Sequence, residues 1–383
     1  MPSWLEQILG ALLALFVLAD VFLTVLYARL GSGIISFYLA RSVWKAFRAV
    51  TKAVPRLRPT ILSFCGPAIL VIILLSWVLL LTLGLALVIH PALGTGVKST
   101  SGSTSTDFIS ALYAGGGSIS IEGANTFAPQ TSAFRLLFLF NSLVGFSMIS
   151  LTLTYLMQVY TALYRRNALA YHVYLASGET ADAAELVAGI GAEGQFTTGY
   201  TILSDLATRV TGSKETHHFY PVLFYFRFDE PAYSVSRLVL TLLDAVTLIK
   251  AGLDDDRYGW LKESAPVAEI WHACFILVTR LSETFLPEDR PDPNEKPDPA
   301  TAEHWRERFR VGLRRLREAR IQIVPDEQAG AEEYVRLRAC WHPHVRSLGP
   351  ALGFTMEEVD PVGTDPSAAG HRPSFQGRRR SPG

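Results

Sequence analysis

The chain has 383 residues, of which 49% are hydrophobic and only 18% charged, a balance that points to a membrane protein with room for two or three domains. Lysine plus arginine equal aspartate plus glutamate at 35 each, so no basic surplus points to nucleic acid. The three cysteines, Cys65, Cys274 and Cys340, lie far apart and exclude a disulfide framework.

The first apolar run, Ile8 to Leu26, carries one charge, Asp20, and is long enough to cross a bilayer, which takes about 20 residues. A cleaved signal peptide is not expected, because Met1 to Gln7 holds only Glu6 and the run ends in Tyr27 and Arg29. Asp20, with Thr24 one turn on, is a candidate functional pair, since an acid inside a span is costly; the plainer reading is a polar contact between helices. A second run, Ile61 to Ile89, has no charge, and a third extends from Leu136 to Leu163. Arg29, Arg41, Lys45, Arg48, Lys52, Arg56 and Arg58 lie between the first two spans, with no acid from Leu30 to Thr60. That loop is therefore expected in the cytoplasm, the N-terminus outside and the C-terminal part inside.

Ile34 to Val54 reads as an amphipathic helix on the inner surface, with Phe37, Trp44 and Phe47 as apolar anchors, or as a simple topogenic loop. Gly94 to Thr106 reads as a mobile Gly/Ser/Thr-rich linker. After Arg166 the composition turns soluble and helical. Helices are predicted over Thr180–Gly191, Pro231–Leu253, Ala265–Phe285, Thr301–Arg320 and Gln328–Leu348, with a proline-rich linker over Leu286–Ala300 and a disordered tail beyond Glu358. The aromatic patch Phe219 to Phe228 reads as a buried core segment, or else a subunit or membrane contact; Pro221 argues against a strand. Cys340, His342, His344, His217 and His218 lack further ligands for a metal site. Asp254, Asp256 and Gly259 miss the calcium-loop pattern at Tyr258 and Ala265. No phosphate loop, zinc-protease helix or nucleophile elbow appears, so neither an enzyme nor a cofactor is expected.

The segment between the second and third spans carries a distinctive frame. Thr106 and Asp107 are candidate N-caps for a helix bearing Ala111, Leu112 and Tyr113; Ser118 and Ser120 precede Ile121, Glu122, Gly123, Ala124 and Asn125; Pro129, Arg135 and Gly145 follow. In this frame the chain, over roughly Ile61 to Arg166, resembles the potassium-channel family of two-helix pore modules. The resemblance implies a pore helix, a filter at Ile121–Asn125 where the family reads Thr-Val-Gly-Tyr-Gly, and an inner-helix hinge at Gly145. It also implies assembly of about four copies around a central axis.

The filter residues depart from that pattern. Ile121 removes a hydroxyl ligand and Ala124 an aromatic brace, and Glu122 puts a carboxylate where the family packs apolar groups, at a cost of several kcal/mol if unpaired. Gly123 and Asn125 keep positions tolerant of unusual backbone angles. Gly115, Gly116 and Gly117 are expected to leave the pore helix shorter or looser. Asn141, Ser142, Ser147, Ser150, Thr152, Thr154 and Gln158 make the third span polar enough to line water on one side, although such residues also mediate dry packing.

The expected fold is thus an all-α integral membrane protein with three transmembrane helices, a re-entrant pore loop and a helical cytosolic domain. Its parts are a first span (1–30), a basic segment (31–60), a pore module (61–166), the cytosolic domain (167–357) and a tail (358–383). The expected function is a homotetrameric cation pore that is not strongly potassium-selective, with the lipid bilayer and ions as partners. The alternative is a non-conducting anchor whose cytosolic domain binds a partner.

Overall fold

A computed structural model describes residues 2–27, 33–120, 126–286, 292 and 295–361. Contacts divide the chain into two units, one formed by Met1–Leu163 with His218–Phe226, the other by Tyr164–His217 with Arg227–Gly383. Ser3–Leu26, Cys65–Ala92 and Ser132–Ala176 are long and apolar enough to cross a membrane.

In the first unit, α1 (Ser3–Val21) continues as a π-helical turn over Phe22–Leu26, and α2 (Ile34–Ala53) and the short α3 (Arg58–Ser63) lead into α4 (Cys65–Ile89). Helices α1 and α4 run antiparallel. The Gln7 amide donates to the Val88 carbonyl at 3.3 Å near one end of the pair, and the Trp77 indole donates to Asp20 at 2.8 Å toward the other. Small residues make the close crossing possible, because a methyl on Gly10 would lie 2.4 Å from the Gly84 carbonyl oxygen.

Helix α2 buries a stripe of Ser36, Ala40, Trp44 and Thr51 and leaves Lys45, Arg48 and Lys52 exposed, as an amphipathic segment should. Trp44, expected as a lipid anchor, is instead buried against Tyr225, with ring centroids 5.8 Å apart. Tyr225 belongs to the aromatic patch, which forms a 3-10 turn over Pro221–Tyr225, opened by its proline, with no strand partner. Val222 to Phe226 are buried. Phe226 fills the space left by Gly66, where a methyl would lie 2.7 Å from the ring, and meets Tyr160 at 6.0 Å; Tyr220 meets Tyr155 at 6.2 Å.

The stretch expected as a mobile linker is partly built into the first unit. Strand β1 (Val97–Ser99) pairs antiparallel with β2 (Phe127–Pro129), joining the two ends of the loop that contains α5 (Phe108–Ile119). Val97 and Phe127 enter a core with Ala86, Ile89, Leu93, Ala111 and Ala114, against which Phe134 and Phe138 pack. Helix α6 (Ser132–Ala176) follows and runs 45 residues without a break.

The second unit contains α7 (Ala183–Ile190), most of α8 (Thr197–Phe219), α9 (Val235–Gly252), α10 (Asp255–Lys262), α11 (Ala265–Phe285), α12 (Pro299–Glu318), α13 (Glu327–Ala351) and α14 (Met356–Val359). Helix α9 is buried along nearly its whole length, with α7, α11 and α13 packed on it. Asp254, considered above for a calcium loop, caps α10 by accepting from the Arg257 amide. The tail was expected to begin after Glu358, yet Val359 and Asp360 are buried.

Asp360 completes a ring of buried charges. Asp244 of α9 accepts from Arg308 Nε at 2.9 Å, Arg338 Nη1 at 2.5 Å and the Tyr334 hydroxyl at 2.5 Å. Asp360 accepts from Arg308 Nη1 at 2.7 Å and Arg338 Nη2 at 3.0 Å. Two carboxylates and two guanidiniums alternate, so the ring is neutral, as burial at this depth demands.

Candidate pore-loop site

Asp107 accepts from the Ser110 amide at 3.2 Å and caps α5 as its position predicts. The hydroxyls of Ser105 and Ser110 hold its carboxyl down at about 2, which keeps a negative charge on the positive end of the helix. The three glycines do not shorten α5, which passes through all of them. A methyl on Gly115 would lie 3.0 Å from the Ala86 amide nitrogen and 3.2 Å from the Thr82 carbonyl oxygen, so the missing side chain lets α5 lie directly on α4. Phe108, at the other end of α5, meets the ring of His90 at 5.6 Å. Helix α5 therefore tracks α4 from His90 to Thr82, about 12 Å along the axis.

The C-terminal end of α5 is fastened to α6. Asn141 is buried and donates to the Ser118 hydroxyl at 2.9 Å, Ser118 donates to the Gly115 carbonyl at 2.7 Å, and the Ser142 hydroxyl reaches the Ser118 carbonyl at 3.2 Å. Gly145 receives the carbonyl of Ile119, since a methyl there would lie 1.8 Å from that oxygen. Expected as a hinge, it sits inside unbroken helix and serves a close backbone approach.

Ser120 ends α5, its hydroxyl donating to the Gly117 carbonyl at 3.0 Å. Ile121, Glu122, Gly123, Ala124 and Asn125 lie outside the described residues. The Thr126 hydroxyl reaches that of Tyr113 at 3.2 Å, and the ring of Phe127, the first residue of β2, meets that of Tyr113 at 6.2 Å. Further along α6, Ser147, Ser150, Thr154 and Gln158 are exposed.

Asp20 and Thr24 form a separate cluster. Asp20 is 2% exposed and accepts from the Ile35 amide, the Ser36 hydroxyl and the Trp77 indole, each at 2.8 Å. Thr24 donates to Ser36 at 3.1 Å. The carboxylate thus caps α2 from a neighbouring helix, an arrangement invisible in local sequence because Gly33, at the cap position, has no side chain. Ser36 and Trp77 were the residues missed; a hydroxyl and an indole N–H within otherwise apolar runs are their signal.

Among the described residues no His, Cys, Asp or Glu side chains are grouped to hold a metal. His342 packs edge-on against Trp305 at 4.9 Å, and the Cys340 thiol donates to the Arg336 carbonyl.

No family model and no solved structure matches the chain. The uncharacterized membrane protein YdjJ of Bacillus subtilis strain 168 is 22% identical over 334 residues, covering 85% of this chain and 94% of the relative. A membrane-protein relative of nearly matching extent and three helices of spanning length together make this chain a membrane protein in the same broad sense.

Proposed function

We propose that the chain is one subunit of an oligomeric cation pore that is not strongly potassium-selective, with its N-terminus outside and the second unit as a cytosolic regulatory domain. The described segments 107–120 and 126–129 carry this reading. Helix α5 runs along α4 and ends at Ser120, and β2 begins at Phe127 and returns beside it, so the sequence between them is the part a re-entrant loop would use as its filter. The exposed stripe of α6 lends support. Thr154 satisfies its own hydroxyl on the Ser150 carbonyl at 2.9 Å, which lipid tolerates, but the Gln158 amide offers two donors and two acceptor lone pairs that lipid cannot match. A ring of about four copies would turn this stripe toward water. The filter sequence favours a second reading, a non-conducting anchor for a partner-binding domain, because Ile121, Glu122 and Ala124 each abandon the potassium pattern.

Topology is testable first. With exposed Cys340 replaced by alanine, a membrane-impermeant thiol reagent added to intact cells should label Ser103→Cys and spare Ser42→Cys, both exposed in the structure. The reverse pattern would remove the pore loop from the outer face.

Conduction is tested by reconstituting the purified chain in planar bilayers. Single-channel currents should favour cations over anions, because four copies of Glu122 form an acidic ring at the loop. Glu122→Gln should cut that preference severalfold and weaken block by divalent ions, with particle mass unchanged. High selectivity for potassium over sodium, or a Glu122→Gln variant altered in stability and not in permeation, would refute the acidic ring. Silent bilayers together with a monomeric particle by mass photometry would favour the anchor.

A further inference from the structure

Helix α2 changes character along its length. Ile34 to Ala40 carry no charge, and the side chains they expose most are Ile34 and Tyr38, at 51% and 65%. From Arg41 onward the free side is basic: Arg41, Lys45, Arg48 and Lys52 recur every three or four residues and share one side of the helix, and Arg56 and Arg58 follow. No acid occurs from Leu30 to Thr60. Among the described residues no carboxylate pairs with the exposed side chains of Lys45, Arg48 and Lys52. The depth of α2 is fixed within the first unit. Its first turn is tied through the Ile35 amide and the Ser36 hydroxyl to Asp20, which also takes the Trp77 indole, so α2 starts level with the middle of α4. Trp44 packs on Tyr225, and the next residue, Phe226, fills the space at Gly66. Ser36 to Trp44 is about 12 Å of helix and Trp77 to Gly66 roughly 16 Å, so α2 runs back along α4 toward its first residue. The basic row therefore begins beside Cys65, where the second helix of spanning length begins, and the uncharged half lies beside that helix's apolar interior.

We propose that the row Arg41, Lys45, Arg48 and Lys52 binds the phosphate groups of anionic phospholipids at the depth where α4 enters the bilayer. Charge names an anion, and depth names its carrier. A basic row on a soluble helix would fit nucleic acid or an acidic protein equally well. Here the row lies at the headgroup level of a spanning helix and continues an exposed apolar half that lipid chains cover. Lysine and arginine stems lie along such a surface with their charged ends among phosphates, and Tyr38, a ring with a polar tip, suits the boundary between the two halves. The inference uses neither conduction nor an assignment of inside and outside, so it stands or falls apart from the pore reading.

The test is competitive lipid retention by the full chain in neutral detergent, read by native mass spectrometry. With phosphatidylglycerol and phosphatidylcholine of identical chains in equal amounts, the parent should retain the anionic lipid about tenfold over the neutral one. Lys45→Gln with Arg48→Gln and Lys52→Gln should bring that ratio below about twofold. Without lipid the melting temperature should stay at the parent's, because all three side chains are exposed. Lys45→Arg with Lys52→Arg, which keeps the charge, should preserve the parent's ratio. A parent with no preference overturns the proposal, and so does a triple variant with the parent's ratio, which places the anionic lipid elsewhere. Should the triple variant be less stable, Lys45→Gln with Lys52→Gln is judged by the same outcomes. Two soluble probes cover the other anions. Glycerol phosphate, the headgroup without its chains, should leave the retained lipid in place, and a short single-stranded oligonucleotide should not bind. Displacement by the first, or binding of the second that the triple variant loses, assigns the row to a soluble anion and overturns the lipid site.

Discussion

Asp244→Ala should destabilise the second unit by about 3–5 kcal/mol, the usual cost of removing one partner from a buried ion cluster. Two guanidiniums and the Tyr334 hydroxyl lose their shared acceptor, and Asp360 alone balances only one of the two positive charges left behind. Urea unfolding followed by tryptophan fluorescence reports it, since Trp341 donates to Thr247 on the same helix at 3.1 Å. A midpoint equal to the parent's would show that the ring contributes nothing. Acid should act on the same unit. Burial pushes the Asp244 and Asp360 carboxyls up, but Arg308 and Arg338 outweigh it and hold both below the ordinary range. Their contribution is therefore complete above about pH 4 and lost as pH falls further. His217 titrates earlier. Burial, then the nearby Arg166, push it down to about 4, so between its ordinary value of 6.5 and that point the unfolded chain takes up a proton that the folded chain refuses. Stability should start to fall near pH 6.5 and fall further below pH 4; burial also holds His342 and His344 below the ordinary value, so they share the first decline and His217→Phe should lessen it.

Asp20→Ala should be the most damaging single change in the first unit. Three buried or half-buried donors, the Ile35 amide, the Ser36 hydroxyl and the Trp77 indole, lose their acceptor together. Each unsatisfied donor costs about 1–3 kcal/mol where water does not reach. Trp77→Phe removes one of the three donors along with its need for an acceptor and should cost far less. Asp20→Asn, which keeps one acceptor oxygen, should fall between them. Thermal unfolding in nanodiscs ranks the three, and an Asp20→Ala protein as stable as Trp77→Phe would mean that the donors find other partners.

The three helices of spanning length were legible because composition alone marks them: runs of about 20 apolar residues have few other uses. Helix α11 was found at its full extent, Ala265–Phe285, since a proline in its first turn and regular apolar spacing both mark it. Helix α8 was missed. Its threonines, glycines and serines are poor helix formers, yet Gly199, Leu203, Leu206, Val210, Ser213 and His217 are buried at three- and four-residue intervals, a pattern too weakly apolar to stand out. At the pore loop, the cap at Asp107 was readable because capping is local. The Asn141 to Ser118 bond, the β pair and the docking of Ile119 on Gly145 join residues far apart in the chain, and no local propensity encodes them. For the same reason Trp44 passed for a lipid anchor, its true neighbour Tyr225 lying far along the sequence.

The bond between Asp20 and Trp77 joins residues 57 positions apart, and that separation bears on how the chain is made. At a synthesis rate of about 5–20 residues per second, Trp77 follows Asp20 by roughly 3–11 s. During that interval the first helix carries an acid with no indole to neutralise its demand, and placing such a helix in lipid costs up to about 3 kcal/mol. The first apolar segment is thus expected to stay beside the insertion machinery until α2 and α4 emerge, so that the three helices leave it together.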